Sequence, residues 1–289
     1  MSYENQTSGS NARSLLARFD FRHLLTTTLV LVSATILLGV ATKATGSGLA
    51  CEAQWPQCDA GPFNLLPANL PSFYEWFHRF VAMFAGFAII GTAVAAWRSP
   101  TVDRRITALV VLGMALTPVQ VYLGRETVLE YALPILSLHF WTAITIFTLF
   151  VAATVLAWER TFSTAHVTGA LALGALAVPF HAALSPAFVG DLSSQSPEMQ
   201  TAQYGVTLVL LAAAVVALLV GRWEFEDARI VGLLGVTTIV AVVTAYLARQ
   251  AANPAIEVLY LGAAAVLFLV FVAGAVLTRR AASTARQLA

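Results

Sequence analysis

The sequence predicts an all-α integral membrane protein with eight transmembrane helices. Three observations carry this: little charge, eight apolar runs of spanning length, and arginine crowded into alternate connections. Of 289 residues, 58% are hydrophobic and only 11% charged, where a soluble chain uses about 25% charged residues. The apolar runs fall near 24–43, 73–97, 106–124, 134–157, 167–185, 200–221, 229–248 and 256–278. A bilayer takes roughly 17–25 such residues. With both termini placed in the cytoplasm, the inner segments hold Arg13, Arg18, Arg22, Arg98, Arg104, Arg105, Arg160, Arg222, Arg229, Arg279, Arg280 and Arg286. The outer segments and helix mouths keep Lys43, Arg79, Arg125 and Arg249. That bias is the positive-inside pattern, and it sets the expected orientation. A net charge of +1 gives no electrostatic footprint for nucleic acid.

Taken in order, the chain opens with a polar leader, 1–23, whose arginines imitate the start of a signal peptide. Lys43 stands where cleavage would need a small residue, so an uncleaved first helix is expected. The eight runs then divide into two sets of four, 24–160 and 161–280, with a short tail at 281–289. Each set has a longer first outer loop (Ala44–Ser72; Pro186–Met199) and a short second one (Arg125–Leu133; Arg249–Ala255). The layout predicts two pseudo-symmetric four-helix bundles, an architecture whose core suits a cofactor.

The first outer loop carries Cys51 and Cys58, the only cysteines. Outside the cytoplasm a bridge between them is expected, and no histidine or third cysteine lies nearby in sequence to make a metal site. The second helix opens with Glu75-Trp76-Phe77-His78-Arg79 and the fourth with Ser137-Leu138-His139-Phe140. Ionisable groups inside a span are costly and usually functional. Counted from helix starts near Phe73 and Pro134, His78 and His139 share one depth. Facing imidazoles at one depth suggest axial ligands of a haem iron; the plain alternative is two separate histidines bonded to backbone or water. Glu75 lies one turn before His78 on the same face. There it orients the imidazole, relays protons or serves as acid/base, unless it is only a carboxylate favoured by a helix N-terminus. Arg79 and Arg125 sit at the outer mouth as candidate partners of haem propionates or as interfacial anchors.

The second set lacks an equivalent pair. Tyr204 and Tyr260 stand where helices 6 and 8 would present histidine, and His181 is alone near the outer end of helix 5. His23 and His166 fall at cytoplasmic helix ends. Only the first set offers a complete two-histidine site, with Tyr204, Tyr260 or His181 as substitutes in the second.

The stretches Thr45-Gly46-Ser47-Gly48-Leu49-Ala50-Cys51, Trp55-Pro56-Gln57-Cys58 and Glu75-x-x-His78-Arg79 resemble the haem A synthases. So do Gln120-x-x-x-Gly124-x-x-Thr127-Val128, placed in the third helix and its outer loop, and Leu138-His139. The resemblance covers about residues 20–160 in motifs and the rest in layout. It implies a prokaryotic plasma-membrane monooxygenase of haem biosynthesis. Such an enzyme converts haem O to haem A by successive hydroxylations of the C8 methyl, ending in a formyl group. It further implies His78 and His139 as ligands of the substrate haem in the first bundle and Glu75 as the catalytic acid. Cys51 and Cys58 match the family's loop disulfide, and a haem b cofactor belongs in the second bundle, where this chain departs from the pattern. The implied partners are haem O, the bilayer, a haem O synthase and an electron donor.

Other readings compete. A b-type membrane cytochrome would use the same histidines but needs neither Glu75 nor the cysteine loop, and a non-catalytic haem-binding relative would keep the fold without synthase activity. A transporter would place its polar residues near the midplane on broken helices, whereas here they cluster at one mouth.

Overall fold

The structure, a computed structural model, describes residues 20–51, 54–58, 66–189, 195–250 and 254–288. The leader arginines Arg13 and Arg18 and parts of both longer loops lie outside these. The protein is all-helical, with no strand among the described residues. Its main helices are α1 (Phe21–Ala44), α2 (Leu70–Arg98), α3 (Arg104–Leu129), α4 (Leu133–Ala157), α5 (Thr164–Ala183), α6 (Pro197–Glu224), α7 (Ala228–Gln250) and α8 (Pro254–Leu288). All eight are long and apolar enough to cross a membrane. Large apolar side chains, among them Phe87, Trp97, Leu176 and Leu269, remain exposed along them. Water would not tolerate so wide an apolar surface.

Local chemistry sets the helix starts. The Asp20 side chain accepts from the backbone N–H groups of Arg22 and His23, and the His23 ring completes a capping box. Asn69 caps α2 ahead of Pro71, Ser163 and His166 form a second box at α5, and Ser196 caps α6 ahead of Pro197. Short polar acceptors followed by proline are what helix N-termini favour. His23 and His166 are therefore part of helix caps.

Several boundaries differ from the sequence expectation by three residues or more, and three of them change what the sequence predicts for named residues. α2 begins at Leu70 rather than near Phe73, because Asn69 supplies the cap, so His78 lies eight residues inside and His139, counted from Leu133, six. At ~1.5 Å per residue this offset is about 3 Å. α3 runs on to Leu129, which places Thr127 and Val128 in the helix rather than in an outer loop. α8 continues through most of the expected tail to Leu288, where alanine and arginine keep helix propensity high.

Neighbour relations form two rings: α1–α2–α3–α4 closing on α1, and α5–α6–α7–α8 closing on α5. α6 joins them by packing on α1 and α4, and α4 and α6 are the most buried helices. Packing in lipid gains little from the hydrophobic effect, so polar contacts between helices matter, at about 0.6 kcal/mol each on average. Thr28 meets Thr92 at 2.8 Å, Trp158 Nε1 donates to Thr26 Oγ1 at 3.1 Å, and Thr168 meets Thr278 at 3.0 Å.

Candidate functional site

At the end of the first ring where α2 and α4 begin, a loop is pinned onto α2. Cys51 and Cys58 are joined as a disulfide with Cα atoms 4.4 Å apart. Ser72 Oγ donates to the Ala50 carbonyl at 3.2 Å. Arg79 Nη1 donates to the carbonyls of Gln54 (3.0 Å) and Gln57 (2.8 Å) and, at a longer 3.4 Å, of Pro56. Its Nε donates to Glu75 Oε1 at 3.0 Å, with Nη2 2.9 Å from the same oxygen. Arg79 thus ties the buried Glu75 to the loop, and its charge is committed to protein partners. Arg125, just before the last turn of α3, pairs with Glu126.

One turn beyond Glu75 on α2, His78 packs against Gly39 of α1. A Cβ at Gly39 would lie 2.9 Å from His78 Cε1, closer than real Cβ atoms come. His139 packs against Gly124 of α3 in the same way, with a Cβ there 3.0 Å from its Cε1. The absent side chains at Gly39 and Gly124 are what seat the two rings. Each imidazole is half-buried, yet its Nδ1 is buried without a hydrogen-bond partner. Gln120 Nε2 reaches His139 Nε2 only at 3.4 Å, a long and weak bond, and Gln120 Oε1 is also unpartnered. Buried polar atoms left open cost about 1–3 kcal/mol each. The side chains of His78, Arg79, Gln120, His139 and Trp141 each carry such an atom, that of Arg79 being Nη2, which meets only the Glu75 carboxylate as an ion pair, and all five belong to this end of the first ring.

Two imidazoles, on α2 and α4, each seated on a glycine and each with one ring nitrogen that no protein group answers, fit an axial pair for a porphyrin iron. No group of three or more His, Cys, Asp or Glu side chains suited to a metal ion occurs among the described residues. A porphyrin supplies the remaining iron ligands itself, so two protein ligands are enough.

The second ring is different. His181 is fully buried, with Nδ1 2.8 Å from Tyr260 Oη and Nε2 2.9 Å from Thr207 Oγ1. Thr207 Oγ1 donates to the Gln203 carbonyl at 3.1 Å. One tautomer satisfies all three groups: the Tyr260 hydroxyl donates to Nδ1, and Nε2–H donates to Thr207. Gln195 Nε2 closes the network by donating to Gln203 Oε1 (2.9 Å) and the Leu184 carbonyl (2.6 Å). Tyr204 does not join it. Its hydroxyl accepts from Arg249 Nη1 at 3.3 Å and its ring meets Phe140 of α4 edge-on. His181 and Tyr260 are brought together, Tyr204 faces the first ring, and these donors, already engaged, do not fit a second haem.

An open apolar groove of about 630 Å³ lies along α3 against Ile90 of α2, lined by Met114, Pro118, Val121 and Tyr122, with Trp55 and Arg125 also on its wall. Sequence reasoning gave no sign of Gly39 or Trp141, and showed Gln120 only as part of a motif and Arg249 only as a cation at the outer mouth. Gln120 and Gly124 stand one turn apart, a spacing that already put them on one face.

No family model matches the chain. It is 36% identical over 140 residues to "Protoheme IX farnesyltransferase" of Halobacterium salinarum, covering 48% of this chain and 30% of that one. It is 32% identical over 123 residues to "Heme A synthase" of Bacillus licheniformis, covering 42% and 40%. With "Heme A synthase" of Bacillus pumilus it shares 29% over 161 residues, covering 54% and 51%. The chain thus spans less than a third of the first of these relatives and about half of the last. Over about half its length the chain is thus similar both to these farnesyltransferases and, at 29–32% identity, to haem A synthases.

Proposed function

We propose that this multi-pass membrane protein acts as a haem A synthase, oxidising the C8 methyl of haem O to a formyl group by successive hydroxylations. The observation that carries the reading is the pair His78 and His139, each seated on a glycine, each with an unpartnered Nδ1, one turn from a buried carboxylate. Both sets of relatives are named for a haem, which supports haem as the molecule handled. In this reading His78 and His139 hold the substrate haem, whose iron supplies the redox chemistry when bound. Glu75, fixed by Arg79, holds or moves a proton at the substrate's edge. The disulfide loop, anchored through Arg79 and Ser72, closes the mouth and keeps water from the reacting edge. The apolar groove along α3 takes the isoprenoid tail. The second ring serves as scaffold without its own haem. The cysteine loop faces outward from a plasma membrane, with a haem O synthase upstream and an electron donor still to be identified.

The test is expression of the full chain alone and beside a haem O-producing enzyme, followed by haem extraction and chromatography. Haem A or its hydroxylated precursor is expected only in the second case. Glu75→Gln is expected to keep bound haem and to lower product at least tenfold, the low end for a lost acid–base group. Protohaem alone under both conditions would overturn the assignment.

A further inference from the structure

The cysteine-loop end holds four basic side chains: Lys43, Arg79, Arg125 and Arg249. Arg79 is neutralised by Glu75 and Arg125 by Glu126. Among the described residues no carboxylate pairs with Lys43 or Arg249. Arg249 crosses from the second ring to the first. Its Nη2 donates to the Leu136 carbonyl at 3.1 Å, its Nη1 to Tyr204 Oη at 3.3 Å, and its Cζ lies 4.2 Å over the Phe140 ring. Leu136 and Phe140 flank His139 on α4. These acceptors are neutral, and they use two of the five N–H donors of a guanidinium. Lys43 stands one turn beyond Gly39 on α1, on the face that seats His78. Arg249 therefore adjoins His139, and Lys43 stands on the face of α1 that seats His78.

Two like charges at a membrane mouth with no carboxylate partner among the described residues are costly, and the arrangement is relieved by a ligand bringing two negative charges. The geometry points to Lys43 and Arg249 as the clamp for the two propionate carboxylates of the porphyrin held by His78 and His139. This rests on the haem reading above. It also gives the second ring a role, since that ring delivers Arg249 to a site that the first ring otherwise builds. Arg79, already spent on Glu75 and the loop carbonyls, is left to position the carboxylate.

The experiment is a titration of the full-length protein, purified from haem-depleted cells, with hemin and separately with hemin dimethyl ester, followed by absorbance. The wild type is expected to bind the diacid more tightly than the ester. Lys43→Gln and Arg249→Gln should each weaken diacid binding about tenfold and leave ester binding unchanged. Arg249→Lys should recover part of the loss. Equal affinity of the wild type for both porphyrins would overturn the clamp. So would an equal loss for both in Arg249→Gln, which would mark a packing role on Leu136 and Phe140. Loss of discrimination in Arg125→Gln instead would move the propionates to the end of α3. If the wild type binds neither porphyrin, the two-histidine site itself falls, and the clamp with it.

Discussion

At the scale of single residues, the site depends as much on what is missing as on what is present. His78 and His139 stand where they do because Gly39 and Gly124 have no Cβ to displace them. Gly39→Val would push atoms into a ring already 2.9 Å from the position of the added Cβ. Overpacking of this kind costs about 1–3 kcal/mol, read as haem affinity weaker by roughly one to two orders of magnitude. The expected result is weak haem binding in a protein whose helical circular dichroism is intact. Unchanged affinity would show that the ring moves freely and that Gly39 is not its seat. Histidine, glutamate and cysteine were legible in the sequence because each is rare in an apolar run, so its position alone draws notice. Gly39 was not, since a glycine in α1 is one of many small residues and its importance lies in a ring far along the chain on α2. Arg79 was legible as a cation at the mouth but not as a residue spent on Glu75 and on loop carbonyls from Gln54 to Gln57.

At the scale of elements, apolar runs located all eight helices, while caps and connections moved their ends. Asn69 starts α2 earlier than the hydropathy does, and the alanines beyond Thr278 prolong α8. Asp20 shows how a cap adds pH dependence. The Arg22 guanidinium beside it, aided by His23, holds its carboxyl down at about 2, against the ordinary 3.8. A lowered value means the carboxylate stabilises the folded state fully above the ordinary range, and that this support is lost as pH falls toward 2. Asp20 is exposed, so the effect is small. Asp20→Asn keeps a capping oxygen and removes the charge. Its thermal midpoint should therefore fall less than that of the wild type between pH 4 and pH 2. Parallel curves for the two proteins would remove Asp20 from the account.

At the scale of the whole molecule, the two rings repeat one helix order, yet their donors are used differently. In the first, imidazole nitrogens are buried and unanswered; in the second, His181, Tyr260, Thr207, Gln203 and Gln195 answer one another. The sequence showed that the second set lacked a histidine pair but could not show that His181 and Tyr260 had closed on each other, or that Tyr204 had turned toward α4. Those contacts join α5 to α6 and α8, and α6 to α4, across separations that no local periodicity encodes. The arginine bias is the basis on which the cysteine loop is expected outside.

The central claim is that one haem is held, in the first ring, by His78 and His139. The most direct test is the ratio of haem to polypeptide in the purified full-length protein, measured for the wild type and for His78→Ala, His139→Ala and His181→Ala. One haem per chain is expected in the wild type and in His181→Ala, with less than a tenth of that in either of the other two. Two haems per chain, or haem lost with His181 and kept without His78 and His139, would contradict it.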